Sequence, residues 1–191
     1  MATSKEQAAF DLSIALYNQC SQLVAEMCTH FADNSVTHTK QMALFDAVLQ
    51  TVLYRIAIED GVVAGNEKYF LEHITQYSDL MQAVSASTGK PFTWDFAATL
   101  PQTERVKFAK LLENFIDKAA NAFVVPFALL DAIITERDYL KELDNLIVQI
   151  CACFTMVDGN STQAELQAAG STYGRVLNAK WQYVRANVKK G

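Results

Sequence analysis

TKQMALFDAVLQTVLYRIAIEDGVVAGNE, residues 39–67, carries the pattern that decides the fold. Its apolar residues Met42, Phe45, Leu49, Val52 and Ile56 recur at steps of three and four, which places them on one face of an α-helix. The spacing predicts a helix bounded by Thr39 and Gly61, with the glycine supplying a left-handed C-cap. One further step of four along the stripe lands on Asp60. Its carboxylate therefore leaves the helix on the core-facing side and needs a compensating partner. Free backbone amides of the next helix, a basic side chain or a metal ion can each fill that role.

Shifting the chain by 98 residues aligns Asp60-Gly61 with Asp158-Gly159, Glu67 with Glu165 and Asp46 with Asp144. The stripe matches in phase, because Leu140, Leu143, Ile147, Ile150 and Phe154 fall on the five residues named above. Two related helical hairpins are implied.

The rest of the chain reads as helix. A stripe of Phe10, Ile14, Tyr17, Val24, Met27 and Phe31 predicts a long first helix from a Ser4/Gln7 capping box, followed by a polar turn over Ala32 to Thr39. A third helix is expected from Gly65 to Ser87, a short helical turn within 92–100, and a fourth helix with Pro101 at its first position running to about Val124. Pro126 is expected to interrupt the pattern before a fifth, more apolar helix through Ile134. A sixth should run from about Asp138 to Val157 and a seventh from Thr162 to about Val188. The fold class is all-α: a compact bundle of about seven helices forming one domain over residues 1–191.

Seven Gly, three Pro and 51% hydrophobic residues agree with that class. A net charge of −5 and a pI near 5.2 disfavour nucleic acid as a partner. The most apolar run, Ala122 to Ile134, contains Pro126 and Asp131 and falls short of the ~20 residues that span a bilayer, so membrane insertion is not expected. The N-terminus carries no basic segment followed by an apolar one, which makes a cytoplasmic location the expectation. Cys151 and Cys153 project ~200° apart on a helix; they and Cys20 and Cys28 read as small core hydrophobes. Trp94 and Trp181 read as core or interface anchors. No histidine has a Glu three residues before it, which removes a di-iron bundle, and no zinc, Cys-x-x-Cys or phosphate-loop motif is present.

Asp, Gly, and Glu seven residues after the Asp match the fifth, sixth and twelfth positions of an EF-hand loop. Ile56 and Ile58 in one copy, and Phe154 and Met156 in the other, stand where the first and third ligands belong, so an ordinary EF-hand is rejected. Thr162 and Glu165 also have the spacing of a capping box. The segments Ile56-Ala57-Ile58-Glu59-Asp60-Gly61 with Glu67, and Phe154-Thr155-Met156-Val157-Asp158-Gly159 with Glu165, resemble the TerB-like group, which includes tellurite-resistance TerB. That resemblance implies a fold of about seven helices around two related hairpins. It also implies a non-enzymatic module, of a stress-related or envelope-associated system, in which Asp60, Glu67, Asp158 and Glu165 hold a divalent metal ion or a basic partner surface. Glu59 adds a secondary acidic group, with Val157 at the matching place. The alternative is a helical scaffold, binding a protein partner or a second copy of itself, in which these acids only cap helices.

Overall fold

Helix α2 (His38–Ala57) is the axis of the molecule. Residues Gln41 and Met42 and then Phe45 to Tyr54 are all buried, as are Ile56 and Ala57, so the helix is enclosed on every side rather than along one stripe. It starts two residues before the sequence expectation, because Thr37 accepts the Lys40 amide at 3.4 Å, and it ends at Ala57 instead of reaching Gly61. The structure, a computed structural model, describes residues 4–32, 36–59 and 61–157, together with 167 and 186–187.

Around α2 lie α1 (Ser4–Cys28), α3 (Gly65–His73), α4 (Leu80–Thr88), α5 (Trp94–Thr99), α6 (Gln102–Ile133) and α7 (Tyr139–Thr155). The described residues are all helix and connecting turn, with no strand. Helix α2 touches α1, α3, α4, α6 and α7, while α1 and α7 pack along each other. The core runs through aromatic rings: Tyr17 on Phe45 (6.0 Å between centroids), Phe45 on Phe123 (5.6 Å) and Phe123 on Phe127 (5.1 Å). Burying a side chain of that size contributes roughly 1.5–3 kcal/mol, so these residues dominate the packing of α2 against α1 and α6.

Both apolar stripes of the repeat are buried, on α2 and on α7 alike. Two carboxylates serve the start of α7: Asp138 accepts the Lys141 amide at 2.9 Å, and Asp131 accepts those of Tyr139 (2.6 Å) and Leu140 (3.2 Å). Apart from 167 and 186–187, the helix expected over 162–188, with Trp181, lies outside the described residues, so the repeat is seen through its first hairpin and the matching stripe of α7.

Two expected boundaries are corrected. The single helix over 65–87 is two helices, separated by a turn at 74–79 that a buried carboxylate of α2 holds. Pro126 does not interrupt anything; it sits inside a continuous α6. An internal proline costs about 3 kcal/mol through the lost hydrogen bond and its ring clash. Phe123, Val124 and Phe127, all buried around it, offset that cost.

No helix among the described residues is long and apolar enough to cross a membrane. Cys20, Cys151 and Cys153 are buried, Cys28 is half-buried, and all four are free thiols. Trp94 is buried against Tyr54, as a core anchor should be.

Candidate functional site

The first acidic bend joins α2 to α3. Gly61 has φ +89°, the left-handed conformation expected of it, and an added Cβ would meet nothing closer than 3.8 Å. Two residues of α6 reach the bend: Gln102 Nε2 donates to the Ile58 carbonyl at 2.8 Å, and the Arg105 guanidinium donates to the Gly61 carbonyl. They tie α6 to the carbonyl of Ile58, which caps α2, and to that of Gly61 in the bend.

Glu67 is buried and its Oε2 accepts the Ala64 amide at 2.7 Å. It therefore acts as the carboxylate half of a capping box, and Ala64 has no side chain to return the bond. Glu59 is exposed and lies 3.9 Å from Arg55, whose Nε is 3.0 Å from Glu113. Asp60, Asp158 and Glu165 lie outside the described residues. Among those described, no group of three or more His, Cys, Asp or Glu side chains is arranged to hold a metal ion.

Behind this bend sits a set of polar atoms that sequence reasoning missed. Tyr54 is fully buried, its ring 5.7 Å from Phe108, and its hydroxyl finds no hydrogen-bond partner among the described residues. Arg105 is 9% exposed and its Nε likewise has none among them. Burial pushes the Tyr54 hydroxyl up to about 12, with the charges of Arg105 and Arg55 pulling the other way.

The opposite end of α3 is organised by α2. Asp46 is fully buried; its carboxylate accepts Tyr17 Oη at 2.6 Å and the amides of Gln76 (3.2 Å), Tyr77 (2.6 Å) and Ser78 (3.0 Å). One helical turn on, Gln50 donates to the Leu71 carbonyl at 3.0 Å and to Thr75 Oγ1 at 2.9 Å, and accepts the Leu80 amide at 3.2 Å. This network fixes the 74–79 turn and gives it a concave outer face.

That face is a groove of about 360 Å³ lined by Glu72, Thr75, Gln76, Ser78, Asp79 and Trp94, among others. A second hollow of about 400 Å³ continues it toward Phe92 and Pro91, and shares Glu72, Asp79 and Trp94. Glu72 lies 3.9 Å from Lys68, and Lys68 also pairs with Asp95. Asp79 accepts the Gln82 amide at 3.1 Å and so caps α4. Glu72, Asp79 and Asp95 gather here around the Lys68 ammonium, with Lys90 beside Pro91 at the far edge.

Ser21 Oγ lies 3.0 Å from His38 Nε2, but the same nitrogen is 3.2 Å from the Ser21 carbonyl. Bonding to that carbonyl requires Nε2 to be protonated, which removes it as a base for the hydroxyl. The thiols of Cys20 and Cys151 are driven up by burial, the latter to about 12, and so remain protonated and poor nucleophiles. In comparisons with known proteins, no family model, curated protein or solved structure matches this chain.

Proposed function

We propose that this chain is a non-enzymatic helical interaction module whose groove between α3, α4 and α5 takes a basic segment of a protein partner. The observation that carries this reading is that Glu72 and Asp79 both line the two hollows of a groove held by the buried Asp46 and Gln50. Carboxylates lining a groove accept Lys and Arg side chains by charge and by hydrogen bonding. The TerB-like resemblance of the first hairpin belongs to this reading as a likeness of architecture, with the Glu67 carboxylate employed as a cap.

Titration calorimetry with short Lys- and Arg-rich peptides tests it. Binding should weaken as salt rises and fall by about tenfold or more in Glu72→Gln with Asp79→Asn. Asn caps a helix as well as Asp, so the double variant should keep the fold. Absence of binding refutes the groove.

The competing reading is a divalent-cation site of Asp60, Glu67, Asp158 and Glu165, which requires Glu67 to coordinate an ion as well as cap α3. A melting shift with Ca²⁺, Mg²⁺, Mn²⁺ or Zn²⁺ that Asp60→Asn and Asp158→Asn abolish would establish it instead.

A further inference from the structure

The groove has a cation of its own beside it. Glu72 lines both hollows, and its carboxylate also lies 3.9 Å from the ammonium of Lys68, one turn earlier on α3. Lys68 in turn donates to Asp95, in the first turn of α5, and Asp95 lines neither hollow. Glu72 is thus the carboxylate shared between the groove and Lys68. Lys90, at the far edge, pairs with neither Glu72 nor Asp79 among the described residues.

The two carboxylates hold Lys68 unequally. Its bond to Asp95, with the charge of Glu72 adding, raises the ammonium above its ordinary value, so Lys68 stays charged wherever the carboxylates are ionised. The contact to Glu72 is long for an ion pair, and a lysine four residues before a glutamate is the weaker order of such a pair on a helix. Glu72 is therefore the partner that Lys68 gives up first. We propose that Lys68 is a built-in competitor for the basic segment: it offsets Glu72 in the free chain and withdraws to Asp95 when a partner's Lys or Arg takes Glu72 over. This inference rests on the groove reading above and assigns the regulation of that same site.

A competitor and a strap predict opposite signs. Lys68 joins α3 to α5, the helices that bring Glu72 and Trp94 to the groove. A residue that only held those walls together would weaken binding when its charge is removed. A competitor strengthens binding when its charge is removed, because the incoming cation no longer has to displace it.

Calorimetric titration of the full chain with a short Arg-rich peptide at low salt tests this. Lys68→Gln should tighten binding by about two- to fivefold, the size of one exposed ion pair, and the gain should vanish near ~1 M salt, where the screening length is ~3 Å. Lys141→Gln makes the same charge change on an exposed residue of α7 that lines neither hollow, and should have little effect. Asp95→Asn removes the site to which Lys68 withdraws, so it should weaken binding, and should do so less when Lys68→Gln is also present. Urea unfolding of each variant checks that the fold is kept. If the native chain binds the peptide and Lys68→Gln binds it equally or more weakly, the competitor is refuted while the groove stands. Lys141→Gln tightening binding as much as Lys68→Gln would reduce the effect to net charge and also overturn the proposal. If neither the native chain nor Lys68→Gln binds, the groove reading itself fails and takes this inference with it.

Discussion

The two ends of α3 solve the same problem with opposite completeness. After α3, the 74–79 turn presents backbone amides to the interior, and α2 answers them with Asp46 and Gln50, which also engage Tyr17 and Thr75. Before α3, the bend at 58–64 presents carbonyls, and α6 answers two of them with Gln102 and Arg105. There the pairing is less complete: among the described residues, the Tyr54 hydroxyl and Arg105 Nε are buried without a hydrogen bond. A satisfied buried network holds one arrangement rigidly, whereas buried groups lacking partners hold free energy that a rearrangement can release. The comparison assigns rigidity to the turn that shapes the groove, and a less complete set of bonds, among the described residues, to the α2 and α6 side chains behind the bend.

The largest effect should come from the closed end. Asp46→Ala leaves the Tyr77 and Ser78 amides and the Tyr17 hydroxyl without their acceptor, with Tyr17 Oη alone left to the Gln76 amide, and should cost about 3–5 kcal/mol in urea unfolding. A loss below ~1 kcal/mol would mean that water replaces the carboxylate and that the turn is not clamped. Burial, the larger influence, raises the Asp46 carboxyl above its ordinary 3.8 against the pull of four donors. Because the folded chain then keeps this proton to higher pH than the unfolded chain, the contribution is complete below the ordinary value. It is lost as pH rises through the raised one. Asp46→Asn, which cannot titrate, should remove that segment of the stability–pH curve.

At the bend, Gly61→Ala should cost about 1–2 kcal/mol, because φ +89° strains any residue with a Cβ although nothing stands in its way. A neutral result would show that position 61 relaxes to negative φ without loss.

These contrasts also measure what the sequence could disclose. Periodicity located α2 and α7, and the all-helical class followed, since a run of steps of three and four has few other physical solutions. It could not tell that α2 is enclosed on all sides, because enclosure depends on where α1, α3, α4, α6 and α7 dock. Asp46 therefore entered only as a repeat match to Asp144, although once α2 is surrounded its carboxylate has no direction free of protein. The split of the 65–87 helix follows from that same carboxylate, and no residue between Ile74 and Asp79 is a proline or glycine that would have announced it. Pro126 misled in the other direction, where burial of neighbouring rings outweighed a local rule. Glu67 was legible as a helix-starting acid; whether it also meets Asp60, Asp158 and Glu165 lies outside the described residues.

The sharpest test of the comparison is one substitution made at both ends. Tyr17 and Tyr54 are both buried tyrosines of the core, and Tyr→Phe removes the hydroxyl from each while leaving ring and volume in place. At Tyr17 the hydroxyl donates to Asp46 at 2.6 Å and accepts the Gln76 amide at 3.2 Å, so Tyr17→Phe should destabilise by about 1–1.5 kcal/mol. At Tyr54 the hydroxyl is buried without a partner among the described residues, and taking it away relieves a desolvation cost, so Tyr54→Phe should leave stability unchanged or raise it by up to ~1 kcal/mol. Urea midpoints of the two variants, measured side by side, should fall on opposite sides of the native value or differ by at least the Tyr17 loss. Equal losses at both positions would mean that the Tyr54 hydroxyl is engaged after all, and the contrast between the two ends of α3 would fail at its most direct point.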